Sequence, residues 1–148
     1  MELEAKVHDR ISRPAAEVFD AIVDPARMSR YFISGASGRM RAGTTVEWEF
    51  ADVGARVPVD VIAVEECKIV YESSATGRRT RVTLSLEPVD PSTTLVSIRE
   101  AGWPMDLEGV QRALGQTAGW TYFLCCLKAY LMHGINLRLG LTRRLTEL

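Results

Sequence analysis

The sequence predicts an α+β domain in which a curved antiparallel sheet wraps around a long C-terminal helix. One observation is a run with few charges, residues 106–134, whose apolar side chains recur with the helical period. A second is a series of five or six consecutive strand patterns between residues 37 and 100, joined by turns. A third is a pair of short helical patterns directly after the first strand. A sheet of this kind, closed by one helix, leaves a space between the two layers.

The predicted long helix carries capping residues at both ends. Asp106 is placed to act as its N-cap, and Gly134 is placed as the glycine that follows a helix. Around Leu124, one face collects an apolar stripe of Thr117, Trp120, Phe123, Leu127, Leu131 and Ile135. The opposite face collects Tyr122, Cys125, Cys126, Ala129, Met132 and His133. Because both faces are apolar, the second face is expected to be covered by a partner subunit, the chain's own tail or a membrane.

The remaining elements follow from alternation and from helix signals. Successive strands are joined by short turns, so they are expected to pair antiparallel. The predicted helices span residues 15–23 and 26–32. The predicted strands span residues 3–11, 37–40, 44–50, 57–65, 69–73, 82–86 and 95–100.

The composition argues against several classes of function. A net charge of −1 provides no field that would attract nucleic acid or anionic lipid. The longest uninterrupted apolar run, residues 120–127, is far shorter than the ~20 residues of a membrane span. The charges interspersed through residues 2–8 predict no signal peptide. No span and no nucleic-acid partner are therefore expected.

Cysteine and histidine usage points to a reduced compartment and to no bound metal. Three cysteines, of which Cys125 and Cys126 are adjacent, make a poor disulfide framework, so a cytoplasmic location is expected. His8 and His133 show no metal-ligand spacing. The sequence therefore predicts no metal and no other cofactor.

Four stretches in this order carry a resemblance to a known family. They are ISRPAAEVFDAIVDPARMSRYF (11–32), GRMRAGTTVEWEF (38–50), VIAVEECKIVYES (61–73), and EAGWPMD with GWTYFLCCLKAYLMHG (within 100–134). They resemble the START-like, birch-pollen-allergen-like superfamily of helix-grip proteins. Within it, they are most similar to the branch of activators of heat-shock-protein ATPase, alongside polyketide-cyclase-like proteins. The resemblance implies one helix-grip domain, residues 1–136, followed by a tail, residues 137–148.

The main candidate site is the space between sheet and helix, which the resemblance marks as a cavity for a hydrophobic guest. Its candidate walls are Met28, Tyr31, Phe32, Trp48, Phe50, Tyr71, Trp103, Trp120, Phe123, Leu124 and Leu127. For each of these residues the alternative is an ordinary filled core. Buried tryptophan and tyrosine need hydrogen-bond partners, so polar groups are expected among them.

Glu100 is the polar residue with the sharpest expectation. If the apolar face of its strand is inward, Glu100 faces inward too, where a carboxylate is costly unless it is paired or protonated. It is then either an acid/base group or polar anchor of the cavity, with Tyr71 as a second acid/base candidate, or a structural partner. The structural partner would be Arg81, Arg99 or a tryptophan N–H. Asp60 is a comparable candidate only if it points to the inner face of its strand, and the sequence pattern leaves its direction open.

Three functions follow as expectations, because the fold that the resemblance implies serves several activities. The first is binding of a hydrophobic or amphipathic small molecule without an assignable reaction. The second is a polyketide-cyclase-like or hydrolase-like enzyme that uses the same cavity. The third is a chaperone-regulator-like domain that binds a protein. A homodimer is expected through the outer face of the long helix, at Tyr122, Cys126, Met132 and His133, unless residues 137–148 cover that face.

Overall fold

A computed structural model describes residues 2–139 and has the predicted α+β architecture, a curved antiparallel sheet around a long C-terminal helix. Its strands are β1 (Glu2–Ile11), β2 (Gly35–Ala36), β3 (Thr45–Phe50), β4 (Ala55–Glu65), β5 (Lys68–Ser73), β6 (Thr80–Asp90) and β7 (Thr93–Pro104). Its helices are α1 (Ala15–Val23), α2 (Pro25–Met28) and α3 (Leu107–His133). Two short helices therefore follow the first strand, as predicted.

The strands form one antiparallel sheet in the order β1-β7-β6-β5-β4-β3-β2. Successive strands are neighbours, and β1 joins the sheet beside β7. Alternation decides the inner face, because every second residue points to the same side. On β7 up to Glu100, the buried residues are Thr94, Val96, Ile98 and Glu100. Helix α3 packs mainly along β1 and β7, so the part of the sheet formed by β3, β4 and β5 lies further from it.

Both ends of α3 are where the capping residues predict them. The Asp106 carboxylate accepts a hydrogen bond from the Gly109 backbone N–H at 2.7 Å. Gly134 has a φ of 65°, and its N–H donates to the Tyr130 carbonyl at 2.9 Å. None of the helices within residues 2–139 has the length and apolar character needed to cross a membrane.

The second face of α3 is largely covered by the chain itself, with Cys125 and His133 left exposed, which corrects the predicted outer face. Cys126 is fully buried in the main core, and Tyr122 and Met132 pack against that core. The Tyr122 hydroxyl donates to the Leu137 carbonyl at 3.4 Å, so the chain that follows the helix folds back over this face. Only His133 of the four predicted interface residues is exposed. Residues 140–148 of the predicted tail lie outside the described residues.

The short elements before β3 differ from the prediction in their bounds. Helix α2 ends at Met28, and the following residues form turns in which the Tyr31 and Phe32 N–H groups both donate to the Met28 carbonyl. The Tyr31 hydroxyl donates to the Ala21 carbonyl at 2.9 Å inside the core, which draws the chain inward at this point. The short strand β2 lies two residues before the predicted start at residue 37. Tertiary contacts therefore override the local helical pattern here.

A bulge at Gly102 decides where Trp103 points. Leu3 pairs with Trp103 and Glu4 pairs with Ala101, so Gly102 is an extra residue in β7. The bulge returns Trp103 to the inner face, where it packs with Ala113 of α3 and is fully buried. Gly102 has a φ of 133°, and a Cβ there would approach the Arg79 carbonyl oxygen to 2.8 Å.

We predict that Gly102→Ala lowers the free energy of unfolding by about 2 kcal/mol, because the new Cβ meets backbone at a φ that side chains rarely adopt. The matched control is Gly115→Ala, since nothing lies within 4 Å of a Cβ at that exposed position in α3. The control should gain about 0.5–1 kcal/mol through helix propensity. Urea unfolding curves of the two variants measure this, and equal shifts of the same sign would contradict the bulge argument.

Candidate functional site

A cavity of about 250 Å³ lies between α3 and the part of the sheet formed by β3, β4 and β5. Aromatic rings form most of its wall, and a few polar side chains are placed among them, as is usual for small-molecule sites. The residues that line it are Phe32, Trp48, Phe50, Val57, Tyr71, Ala75, Gln116, Gly119, Trp120, Tyr122 and Arg138. The cavity exists because α3 packs along β1 and β7, at one edge of the sheet, and leaves the inner face of β3 to β5 less covered.

Ring packing sets the inner limit of the cavity. Phe123 of α3 is fully buried, and its ring centroid lies 4.8 Å from that of Phe32 and 5.4 Å from that of Trp120. On the sheet side, Trp48 and Tyr71 form an edge-to-face pair with centroids 5.5 Å apart. The rings therefore interlock around Phe123, and beyond it they line a space.

The structure divides the predicted wall residues into two groups. Five of them line the cavity: Phe32, Trp48, Phe50, Tyr71 and Trp120. Five others lie in the packed main core and do not line the cavity: Met28, Tyr31, Phe123, Leu124 and Leu127. The five lining residues also belong to this core or pack against it. Trp103 belongs to a separate small cluster with Ala5 and Ala113, and its indole N–H donates to the Thr76 hydroxyl at 3.3 Å. Helical and strand periodicity cannot separate a cavity wall from a core, because both are apolar and face inward.

Glu100 lies in the interior, as predicted, and is 3% exposed. One carboxylate oxygen accepts hydrogen bonds from the Trp120 indole N–H and the Gln116 amide, each at 2.8 Å. The other accepts the Thr80 hydroxyl at 2.6 Å. The carboxylate is thus satisfied by three donors from β6 and α3, which meets the cost of burying it.

These contacts favour the structural interpretation of Glu100 over the acid/base one. A tryptophan N–H is one of its partners, whereas Arg81 pairs with Glu72 and Arg99 pairs with Glu4 on the outer face. Glu100 is not among the residues that line the cavity. Its contacts are those of a positioning residue, because it hydrogen-bonds two of the cavity-wall side chains of α3, Gln116 and Trp120.

Tyr71 contributes a hydroxyl to the site. Burial, and then the negative charge of the nearby Glu100, raise the pKa of the Tyr71 phenol well above its usual value. The phenol therefore keeps its proton at neutral pH. Chemically, such a phenol is suited to donating a hydrogen bond rather than to acting as a base.

Asp60 faces away from the cavity. Its neighbours Val59 and Val61 are buried, so Asp60 lies on the outer face, where it accepts from Thr45 and pairs with Arg79 at 2.6 Å. The Thr45 hydrogen bond, and then that of Arg79, lower the pKa of the Asp60 carboxyl. Among the described residues, no three His, Cys, Asp or Glu side chains are grouped so that they could hold a metal ion.

Sequence reasoning missed three polar residues of this region. Gln116 and Thr80 hydrogen-bond Glu100, and Arg138 lines the cavity from the chain that follows α3. Gln116 could have been found, since it lies one helical turn before Trp120 on the same face. Arg138 carried no such signal, because its position depends on how the chain turns after Gly134.

We predict that Glu100→Ala lowers the free energy of unfolding by about 3 kcal/mol, because it leaves buried donors without an acceptor. Glu100→Gln should cost only about 1 kcal/mol, since its amide oxygen still accepts from Trp120 and Gln116. The exposed Glu87, on the neighbouring strand β6, serves as the control, and Glu87→Ala should change stability by less than about 0.5 kcal/mol. Urea unfolding followed by tryptophan fluorescence measures all three. Similar losses for Glu100→Ala and Glu87→Ala would contradict the positioning role.

Comparison with known proteins supports the same architecture. The protein SSP2350 from Staphylococcus saprophyticus has 28% identity and a TM-score of 0.80, with 92% of this chain and 96% of that chain covered. The Aha1 dimer from Colwellia psychrerythraea has 17% identity and a TM-score of 0.76, with 89% and 98% covered. DynU16, from the dynemicin biosynthetic locus, has 23% identity and a TM-score of 0.79, with 88% of this chain but 48% of that chain covered. No curated protein matches the chain.

A family model accounts for most of the chain. Residues 12–132 match the family described as "Activator of Hsp90 ATPase homolog 1-like protein". This range includes most of the stretches on which the predicted resemblance depends, and it confirms that resemblance. The chain therefore belongs to the family of activator of Hsp90 ATPase homolog 1-like proteins.

Proposed function

We propose that this protein binds a small hydrophobic or amphipathic molecule in the cavity between α3 and the sheet, without changing it chemically. The observation that carries the proposal is a cavity of about 250 Å³ whose wall contains six aromatic side chains: Phe32, Trp48, Phe50, Tyr71, Trp120 and Tyr122. Displacement of water from such an apolar surface by a guest is favourable in free energy, and this favours binding.

The size of the cavity limits the guest. Typical small-molecule pockets measure roughly 300–1,000 Å³, so this one suits a compact body of one or two rings. Gly119 is an exposed residue of the lining, and beyond its own helix backbone nothing lies within 4 Å of the position that a Cβ would take there. A longer guest would therefore leave the cavity past Gly119.

The contacts of the titratable groups favour binding over catalysis. Acid/base chemistry by Glu100 and Tyr71 would require two groups that converge on the cavity. The Glu100 oxygens are occupied by three donors, and the Tyr71 phenol holds its proton. A polyketide-cyclase-like reaction is therefore the second candidate. A protein-interaction role is the third, since it needs no cavity.

We also propose that the protein forms a homodimer, with a different surface from the face that contains Cys126. The structural relative from Colwellia psychrerythraea is described as a dimer, which supports a second copy as the partner. On α3, Leu107, Val110 and Leu114 are exposed and recur at spacings of three and four residues, so they share one face. Met105 is exposed just before this helix and extends the apolar stripe.

The binding proposal predicts that a guest travels with the purified protein or is found by screening. Native mass spectrometry should show added mass, and hydrophobic metabolites should raise the melting temperature, since they bind the native state alone. Gly119→Leu should abolish both signals by filling space at the lining, whereas Gly115→Leu, one helical turn away and outside the lining, should retain them. Retention of guest by Gly119→Leu, or no guest for the unchanged protein, would contradict the proposal.

The dimer proposal predicts the mass of two chains in light scattering at micromolar concentration. Leu114→Glu should give the mass of one chain, because it places a charge in the apolar stripe. The matched variant His133→Glu, at the exposed end of the face first predicted from sequence, should remain dimeric. A monomeric mass for the unchanged protein would contradict the dimer, and dissociation by His133→Glu alone would contradict the stripe.

A further inference from the structure

The Arg138 side chain is held in the cavity wall by several contacts. Its side chain is 15% exposed, and its guanidinium carbon lies 5.2 Å from the ring centroids of both Phe32 and Phe50. Its backbone N–H donates to the Asn136 side chain at 3.0 Å. The preceding Leu137 carbonyl accepts the Tyr122 hydroxyl. The turn after α3 thus holds the guanidinium against two aromatic rings that themselves pack edge-to-face at the cavity.

The guanidinium is the single formal charge that the described residues bring to the lining of the cavity. No aspartate or glutamate belongs to that lining, and the buried Glu100 faces its own three donors instead. Asp52 pairs with Arg138 through one terminal nitrogen at 2.6 Å, and it lines a neighbouring pocket but not the cavity. A guanidinium has five N–H donors, so others are left for a guest.

The remaining polar groups of the sheet-side wall are also donors. The Trp48 indole N–H and the Tyr71 hydroxyl have no hydrogen-bond partner within residues 2–139. Trp48 is 5% exposed and Tyr71 is 4% exposed, and no fully buried side-chain nitrogen or oxygen of these residues lacks a partner. The Trp48 indole N–H and the Tyr71 hydroxyl therefore remain accessible. Since both residues line the cavity, we infer that these two donors face it.

A wall of aromatic rings with one cation and unpaired donors has a definite chemical preference. Donors that lose water on binding must find an acceptor, or their desolvation opposes binding. An anionic oxygen group accepts from both a guanidinium and neutral donors, and such charge-assisted bonds are about twice as strong as neutral ones. A neutral hydrocarbon guest would leave these donors unpaired.

Building on the function proposed above, we propose that the guest is a compact amphipathic anion, an aromatic or similarly bulky apolar body that carries one carboxylate. The apolar body occupies the space among Trp48, Tyr71 and Trp120. The carboxylate is bound by Arg138, which shares its charge between the guest and Asp52. Arg138 is then the residue that determines specificity for acids over neutral molecules of the same shape.

The experiment compares two probes of equal shape, 2-naphthoate and 2-naphthamide, by isothermal titration calorimetry on the full chain at neutral pH and low salt. The unchanged protein should bind the naphthoate about tenfold more tightly than the amide. Arg138→Gln should remove this preference and leave the amide affinity within about threefold. The control Arg10→Gln makes the same charge change on the exposed outer face of β1 and should leave the preference intact.

A second variant tests independently whether positive charge at Arg138 strengthens binding of the naphthoate. Asp52→Asn removes the negative charge beside Arg138 at nearly constant shape, so it should raise the naphthoate affinity about threefold or more and leave the amide affinity unchanged. Far-UV circular dichroism of each variant checks that it is folded.

Four outcomes would overturn the inference. Equal affinity of the unchanged protein for both probes, or an unchanged preference in Arg138→Gln, would show that the cavity does not select anions through this residue, while binding itself stands. Tighter binding of both probes by Arg138→Gln would show that Arg138 only limits the volume of the site. It would then act as a wall between the cavity and the neighbouring pocket that it also lines. No binding of either probe would contradict both this inference and the function on which it rests.

Discussion

The hydrogen bonds of Glu100 are the constraint on which the geometry of the cavity depends. A buried carboxylate is tolerated only when its lone pairs are filled, and here the donors come from β6 and from two successive turns of α3. A slide of the helix along the sheet would therefore break several charge-assisted bonds at once. The same contacts present Trp120 and Gln116 to the cavity, so one interaction sets both the helix position and the cavity wall.

The cavity results from the way α3 is attached on one side of the sheet. Lys128 of α3 pairs with Asp9 of β1 at 3.1 Å, and Trp103 of β7 packs on Ala113 of the same helix. At the centre, Phe123 fills the space between the layers by contact with the rings of Tyr31 and Phe32. Beyond Phe123, a space remains between α3 and the side chains of β3 to β5 that line the cavity.

Membership of the family determines the architecture but not the ligand. A helix-grip fold serves several activities because its framework is independent of the side chains that line its cavity. In this chain those side chains are mainly aromatic, with one arginine and unpaired donors. The arrangement is suited to holding a guest in place, since the buried carboxylate has its hydrogen bonds already filled and the phenol keeps its proton.

The sequence by itself determined the elements and most of the inner face of the sheet. Asp106, Gly134 and the alternation of β7 act locally, through caps and through a two-residue period, so their outcome can be derived without the fold. For the same reason the inward position of Glu100 was predictable. Only the tertiary structure decided that Cys126 is covered, that α2 stops at Met28, and which of the inward-facing aromatic residues line a space. It alone also decided that Arg138 joins the cavity wall, because these outcomes depend on distances between segments that are far apart in the chain.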